Sequence, residues 1–92
     1  MIEINCTAND SPLTDSCAIK TTAALFFDGA IPAIVNQQSV FYRSGALSLS
    51  AATCVLIVSG TNFIIRVNSN NALPNTYYWS VNVTLDILDD NN

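Results

Sequence analysis

From Tyr78 to Leu88 apolar and polar residues alternate strictly: Trp79, Val81, Val83, Leu85 and Ile87 fall on one side, Tyr78, Ser80, Asn82, Thr84 and Asp86 on the other. Period two over this length predicts a strand with one buried face and a solvated or interfacial outer face. The N-terminus repeats the pattern, with Ile2, Ile4 and Cys6 opposing Glu3, Asn5 and Thr7. Between them lies a hairpin signal. Val55–Val58 and Phe63–Val67 are apolar at nearly every residue and flank Ser59-Gly60-Thr61-Asn62, a tight-turn sequence. Arms so uniformly apolar predict central strands, or strands that bury their second face against a partner.

The segment Cys17–Phe27 is rich enough in alanine to permit a helix, but Ile19, Thr21, Ala23, Leu25 and Phe27 share one face at strand spacing, so it reads as a strand. Asp28-Gly29 marks a turn, Pro32 in the run Ile31–Val35 suits an edge or a strand start, and Val40–Arg43 reads as a separate strand ended by Ser44-Gly45. Ala46–Ser50 alternates leucine with serine, and the segments 9–16 and 68–76 read as loops. The expectation is a single all-β domain over residues 1–92, a β-sandwich or small barrel of about seven to eight short, mostly antiparallel strands.

Residue usage supports this reading. Val, Ile and Thr, which favour pleated surfaces, number 24, whereas Glu, Lys, Arg, Gln and Met, which fill helices, number 7. A domain of this size has a thin stability margin. About 9,000 Å² buried on folding contributes roughly 140 kcal/mol, and ordering the chain costs roughly the same. That is a hint of stabilisation by a partner or a cross-link.

The net charge is −4, with Lys20, Arg43 and Arg66 as the three cations. They form no cluster, which argues against a nucleic-acid partner and an anionic membrane surface. The apolar run Cys54–Val58 is too short to span a bilayer, and Met1–Asn5 has neither the positive nor the apolar region of a secretory leader. The expectation is a chain used without secretion, the alternative being that a leader was removed.

Histidine is absent, and with it the commonest general base and metal ligand. No glycine-rich phosphate loop occurs, since Gly29, Gly45 and Gly60 lie far apart, and the carboxylates suggest no acid–base pair. The reading is non-enzymatic, with no catalytic residue, cofactor or metal. Asp86, Asp89 and Asp90 match no calcium-loop spacing and read as a charged strand end. Of Cys6, Cys17 and Cys54 the favoured reading is small buried hydrophobes, and the alternative a Cys6–Cys17 bridge closing the first loop.

Tyr77, Tyr78 and Trp79 form the candidate interface, because aromatics beside a loop can anchor a protein contact or stack on a sugar. Against this stands the reading that Trp79 is core and the tyrosines flank a strand start. In composition the chain resembles small virion proteins of tailed bacteriophages, such as capsid cement or decoration proteins and tail or fibre components. The likeness lies in low charge, abundant Asn, Ser and Thr, a small all-β domain and a marginal core. It implies a structural role through contacts with capsid or tail subunits and with further copies of itself, made by the loop 9–16, the loop 68–76 or the N-terminal strand, and location in the virion. The alternatives are a bacterial cell-surface or pilus-type adhesion module and a small carbohydrate-binding β-module.

Overall fold

The computed structural model describes residues 1–10, 16–29, 31–44, 49, 51–70 and 76–86. Every regular element among them is a strand, and there are six rather than seven or eight: β1 (Ile2–Asp10), β2 (Ser16–Asp28), β3 (Ile31–Ser44), β4 (Thr53–Ser59), β5 (Asn62–Asn68) and β6 (Tyr77–Leu85). They form two antiparallel sheets, one in the order β3-β2-β1-β6 and the other the β4–β5 hairpin. The all-β expectation holds in the form of a lopsided sandwich.

The larger sheet is organised by β1, whose alternating Ile2, Ile4, Cys6 and Ala8 are all buried. Their cross-strand partners on β2 are Ala23, Thr21, Ile19 and Cys17, also buried, so the two strands present one continuous inner face. The alanines of β2 therefore serve strand packing, not a helix. Leu49, Ala52, Cys54 and Leu56 close the core from the other side.

The strand count falls short partly because β3 is one long strand where the sequence shows two. Thr22 faces Gln38, yet Ala24 faces Val35, so β3 fits one extra residue at Asn36-Gln37. Asn36 takes φ 55°, the left-handed conformation that asparagine tolerates better than most residues. The bulge resets the alternation: Pro32 and Ile34 before it, and Ser39 and Phe41 after it, all lie opposite inner-face residues of β2. A period that changes phase in mid-strand looks like a break in the sequence. The segment Ala46–Ser50 adds no strand to the described residues: Leu49 sits in a turn, and the rest of it lies outside them. The middle of the loops 9–16 and 68–76, and Ile87 onward, lie outside them too.

The hairpin turns as expected, with Gly60 at the first loop position and φ +61°. The expectation that its arms are central strands is overturned, because β4 and β5 form a sheet of two. Cys54, Leu56, Phe63, Ile65 and Val67 face the core, and Val55, Ile57 and Ile64 lie on the opposite side. A two-residue loop directs the N–H and C=O of alternate β4 residues away from β5, and Cys54 and Leu56 are among these. Side chains from the larger sheet meet them. The fully buried Thr21 hydroxyl donates to the Cys54 C=O at 2.8 Å. With its proton so used, it accepts from the Ser39 hydroxyl, also at 2.8 Å. Gln37 bonds both backbone groups of Leu56.

A disulfide joins Cys6 on β1 to Cys54 on β4, between the sheets. Neither sequence reading of the cysteines anticipated this pairing. Cys6 faces Ile19 and Cys17 faces Ala8, so the two cysteines of the alternative reading are set diagonally on one sheet, while Cys54 comes down from above. Cys17 is buried outside the bridge.

Candidate functional site

The two sheets differ in width. Each strand adds about 4.8 Å, so the hairpin spans about half the breadth of the four-stranded sheet. The uncovered part includes β6. Val81, Val83 and Leu85 lie opposite the buried Cys6, Ile4 and Ile2 on the inner face of the sheet, yet are 39%, 48% and 52% exposed. The face that alternation marks as the buried one is thus open over most of the strand.

The edge of β6 is open as well. Met1 and Asp86 exchange both backbone bonds, the Asp86 N–H to Met1 C=O at 2.9 Å and the Met1 amino group to Asp86 C=O at 3.1 Å. This fixes the parity of the ladder. Asp86, Thr84, Asn82, Ser80 and Tyr78 direct their backbone groups toward β1, and the intervening residues direct theirs away from it. Trp79, Val81, Val83 and Leu85 therefore align N–H and C=O groups along the sheet margin, beyond which no further strand lies among the described residues.

Such margins are templates for pairing, and proteins blunt them with charge, proline, bulges or cover. The other margins show these devices. β3 carries Pro32 and the bulge at Asn36-Gln37, β5 carries Arg66, and the free side of β4 is met by Thr21 and Gln37. Among the described residues β6 has none of them. It contains no proline and no charged residue, its register against β1 is unbroken, and no charge occurs anywhere from Val67 to Leu85.

The structure divides the aromatic trio predicted as an interface. Tyr77 and Trp79 pack against the core, half-buried, while Tyr78 points to the opposite face of the sheet and is 59% exposed. Three consecutive strand residues cannot share a face, so they form no single stacking platform. Sequence reasoning missed Val81, Val83 and Leu85, because an apolar row under a full second sheet and one left bare have the same periodicity. Only the mismatch in sheet width separates them.

A second opening lies at the end of the molecule, a recess of about 640 Å³ lined by Met1, Leu25, Phe26, Phe27, Phe63 and Leu85 among others. Phe27 and Phe63 meet edge to face there at 5.5 Å. Its walls are mostly apolar, with Asp86 the one charged side chain among the lining residues, so it lacks the set of converging polar groups that orients a small ligand. Among the described residues no group of three or more His, Cys, Asp or Glu is placed to hold a metal ion. Asp86 is exposed, and Asp89 and Asp90 lie outside the described residues.

Compared with known proteins, the chain matches no family model, no curated protein and no solved structure. Its surface must therefore be read on its own terms. The molecule measures 53 × 23 × 18 Å with a radius of gyration of 15.4 Å, against about 12 Å for a compact domain of this length. It exposes 6169 Å², about 1,000 Å² more than size scaling gives a globular chain of 9.9 kDa.

Proposed function

We propose that this chain is a non-catalytic structural protein that works by packing against other proteins, as a virion component of a tailed bacteriophage: a capsid cement or decoration protein, or a tail or fibre subunit. The observation that carries the reading is the margin of β6, a row of outward N–H and C=O groups bordered by exposed Val81, Val83 and Leu85 and carrying none of the usual protection among the described residues. A sheet margin of this kind recognises backbone, so it suits addition of a strand from a neighbouring subunit.

A second reading that the Cys6–Cys54 bridge accommodates is a bacterial cell-surface or pilus-type module. Disulfides persist on cell surfaces and on virions and are rare in reducing cytoplasm. The bridge therefore fits both structural readings, and it fits permanent residence in the cytoplasm poorly. A carbohydrate-binding role has less support, because the aromatic trio is split between two faces.

The test is the mass and composition of the native assembly, by light scattering and mass spectrometry of material from the cells or particles that contain it. A multisubunit species with a fixed copy ratio is expected, and particle or envelope fractionation separates the two structural readings. Recovery of the native protein only as a 9.9 kDa monomer rules out the assembly role.

A further inference from the structure

We propose that the partner of the β6 margin is β6 of a second copy of this chain, paired antiparallel across a twofold axis at Val81. The inference rests on the assembly reading above and names its first partner. Two observations select a second copy. The first is parity. With Val81 on the axis, Val81 faces Val81 of the second copy, Trp79 faces Val83, and Tyr77 faces Leu85. Residues with outward backbone groups then meet residues of the same kind, and Trp79, Val81 and Val83 of each copy exchange two N–H···O=C bonds per facing pair, as a narrow antiparallel pair does.

The second observation is chemical self-complementarity. The same register sets the apolar row of one copy beside that of the other, and Ser80 and Tyr78 beside Asn82 and Thr84. The chain as a whole carries −4, which opposes self-association, but the absence of charge from Val67 to Leu85 brings no like charges together here. The product is a continuous eight-stranded sheet. Twofold pairing consumes the β6 margin of both copies, so the contact closes as a dimer and does not propagate into a filament.

The experiment is light scattering of the purified full chain across concentration, with two substitutions at the axis. Val81→Lys places two ammonium groups opposite each other. Val81→Pro removes an N–H that points outward, leaving the bonds to β1 in place. Circular dichroism and thermal melting establish that each variant is folded. The expected result is twice the 9.9 kDa chain mass for the parent protein and a single chain mass for the folded variants. Register is read separately: Val81→Cys gives a covalent dimer on oxidation, whereas Thr84→Cys, which faces Tyr78 of the second copy, does not. A parent chain that stays monomeric to about 100 µM, or a dimer that persists in both folded variants, overturns the pairing. The purified chain tests the pairing and the native assembly tests the reading above, so the failure of one is distinguishable from the failure of the other.

Discussion

The side-chain amide of Gln37 pairs with Leu56 as a strand residue would: Oε1 accepts the Leu56 N–H at 2.8 Å and Nε2 donates to the Leu56 C=O at 2.9 Å. The bulge at Asn36 makes this possible by placing an additional residue where β3 passes β4. Leu56 is in the core, and its backbone groups without Gln37 would be desolvated and unsatisfied. Replacing Gln37 by Glu keeps an acceptor for the N–H and turns a carboxylate oxygen toward the C=O in place of a donor. The expected loss is about 1 to 2 kcal/mol, which thermal melting reads as a fall in Tm of several degrees, at about 4 to 8 °C per kcal/mol for a domain this small. An unchanged Tm would mean that the amide only decorates the surface.

The disulfide makes a larger contribution. Cys6 and Cys54 are 48 residues apart, and closing a loop of that length in the unfolded chain is worth about 4 kcal/mol in the chain-entropy model. Cys54→Ala, or reduction of the parent protein, is expected to remove about 2 to 5 kcal/mol. Calorimetry with and without reductant checks this, and a melting temperature indifferent to reductant is the result that contradicts it.

The N-terminal strand, expected from sequence to offer a contact to neighbours, lies instead between β2 and β6. Deleting residues 1–8 removes buried Ile2, Ile4, Cys6 and Ala8 together with both ladders. The truncated chain should therefore fail to fold, seen as loss of the β signature in far-ultraviolet circular dichroism. The milder Ile4→Ala should cost about 2 to 5 kcal/mol. A folded truncated chain would show that the pairing around β1 is dispensable.

On the outer face of the same sheet, Lys20 Nζ lies 2.7 Å from Glu3 Oε1. The hydrogen bond to Glu3, and then its charge, raise the Lys20 pKa above the ordinary 10.5. The folded state holds this proton more tightly than the unfolded state does. The stability it contributes is fully present below pH 10.5 and is lost as pH rises through the raised value. The pair is solvent-exposed, so the effect is small and weakened by salt. Melting curves of the parent protein and Lys20→Met should differ slightly at neutral pH and converge in strong alkali. A gap that widens with alkalinity would contradict the assignment.

Much of the fold is legible along the chain. The Ile2–Ala8 alternation, the shared face of Ile19, Thr21 and Ala23, and the turn at Ser59–Asn62 are local patterns, and each folds as it reads. Features that depend on distant segments are not legible. Nothing near Cys6 specifies Cys54, the phase change at Asn36-Gln37 resembles a loop, and the apolar side of β6 looks like core until the second sheet is seen to stop short of it. Of the aromatic trio, Tyr78 lies exposed, whereas Tyr77 and Trp79 contribute to packing.

The uncharged stretch from Val67 to Leu85 has a practical consequence. Ionic strength acts on a contact through fixed charges, and this surface brings none to it. Whatever seats there, held by backbone dipoles and aliphatic groups, should stay in place in molar sodium chloride and let go in urea, which competes for peptide groups directly.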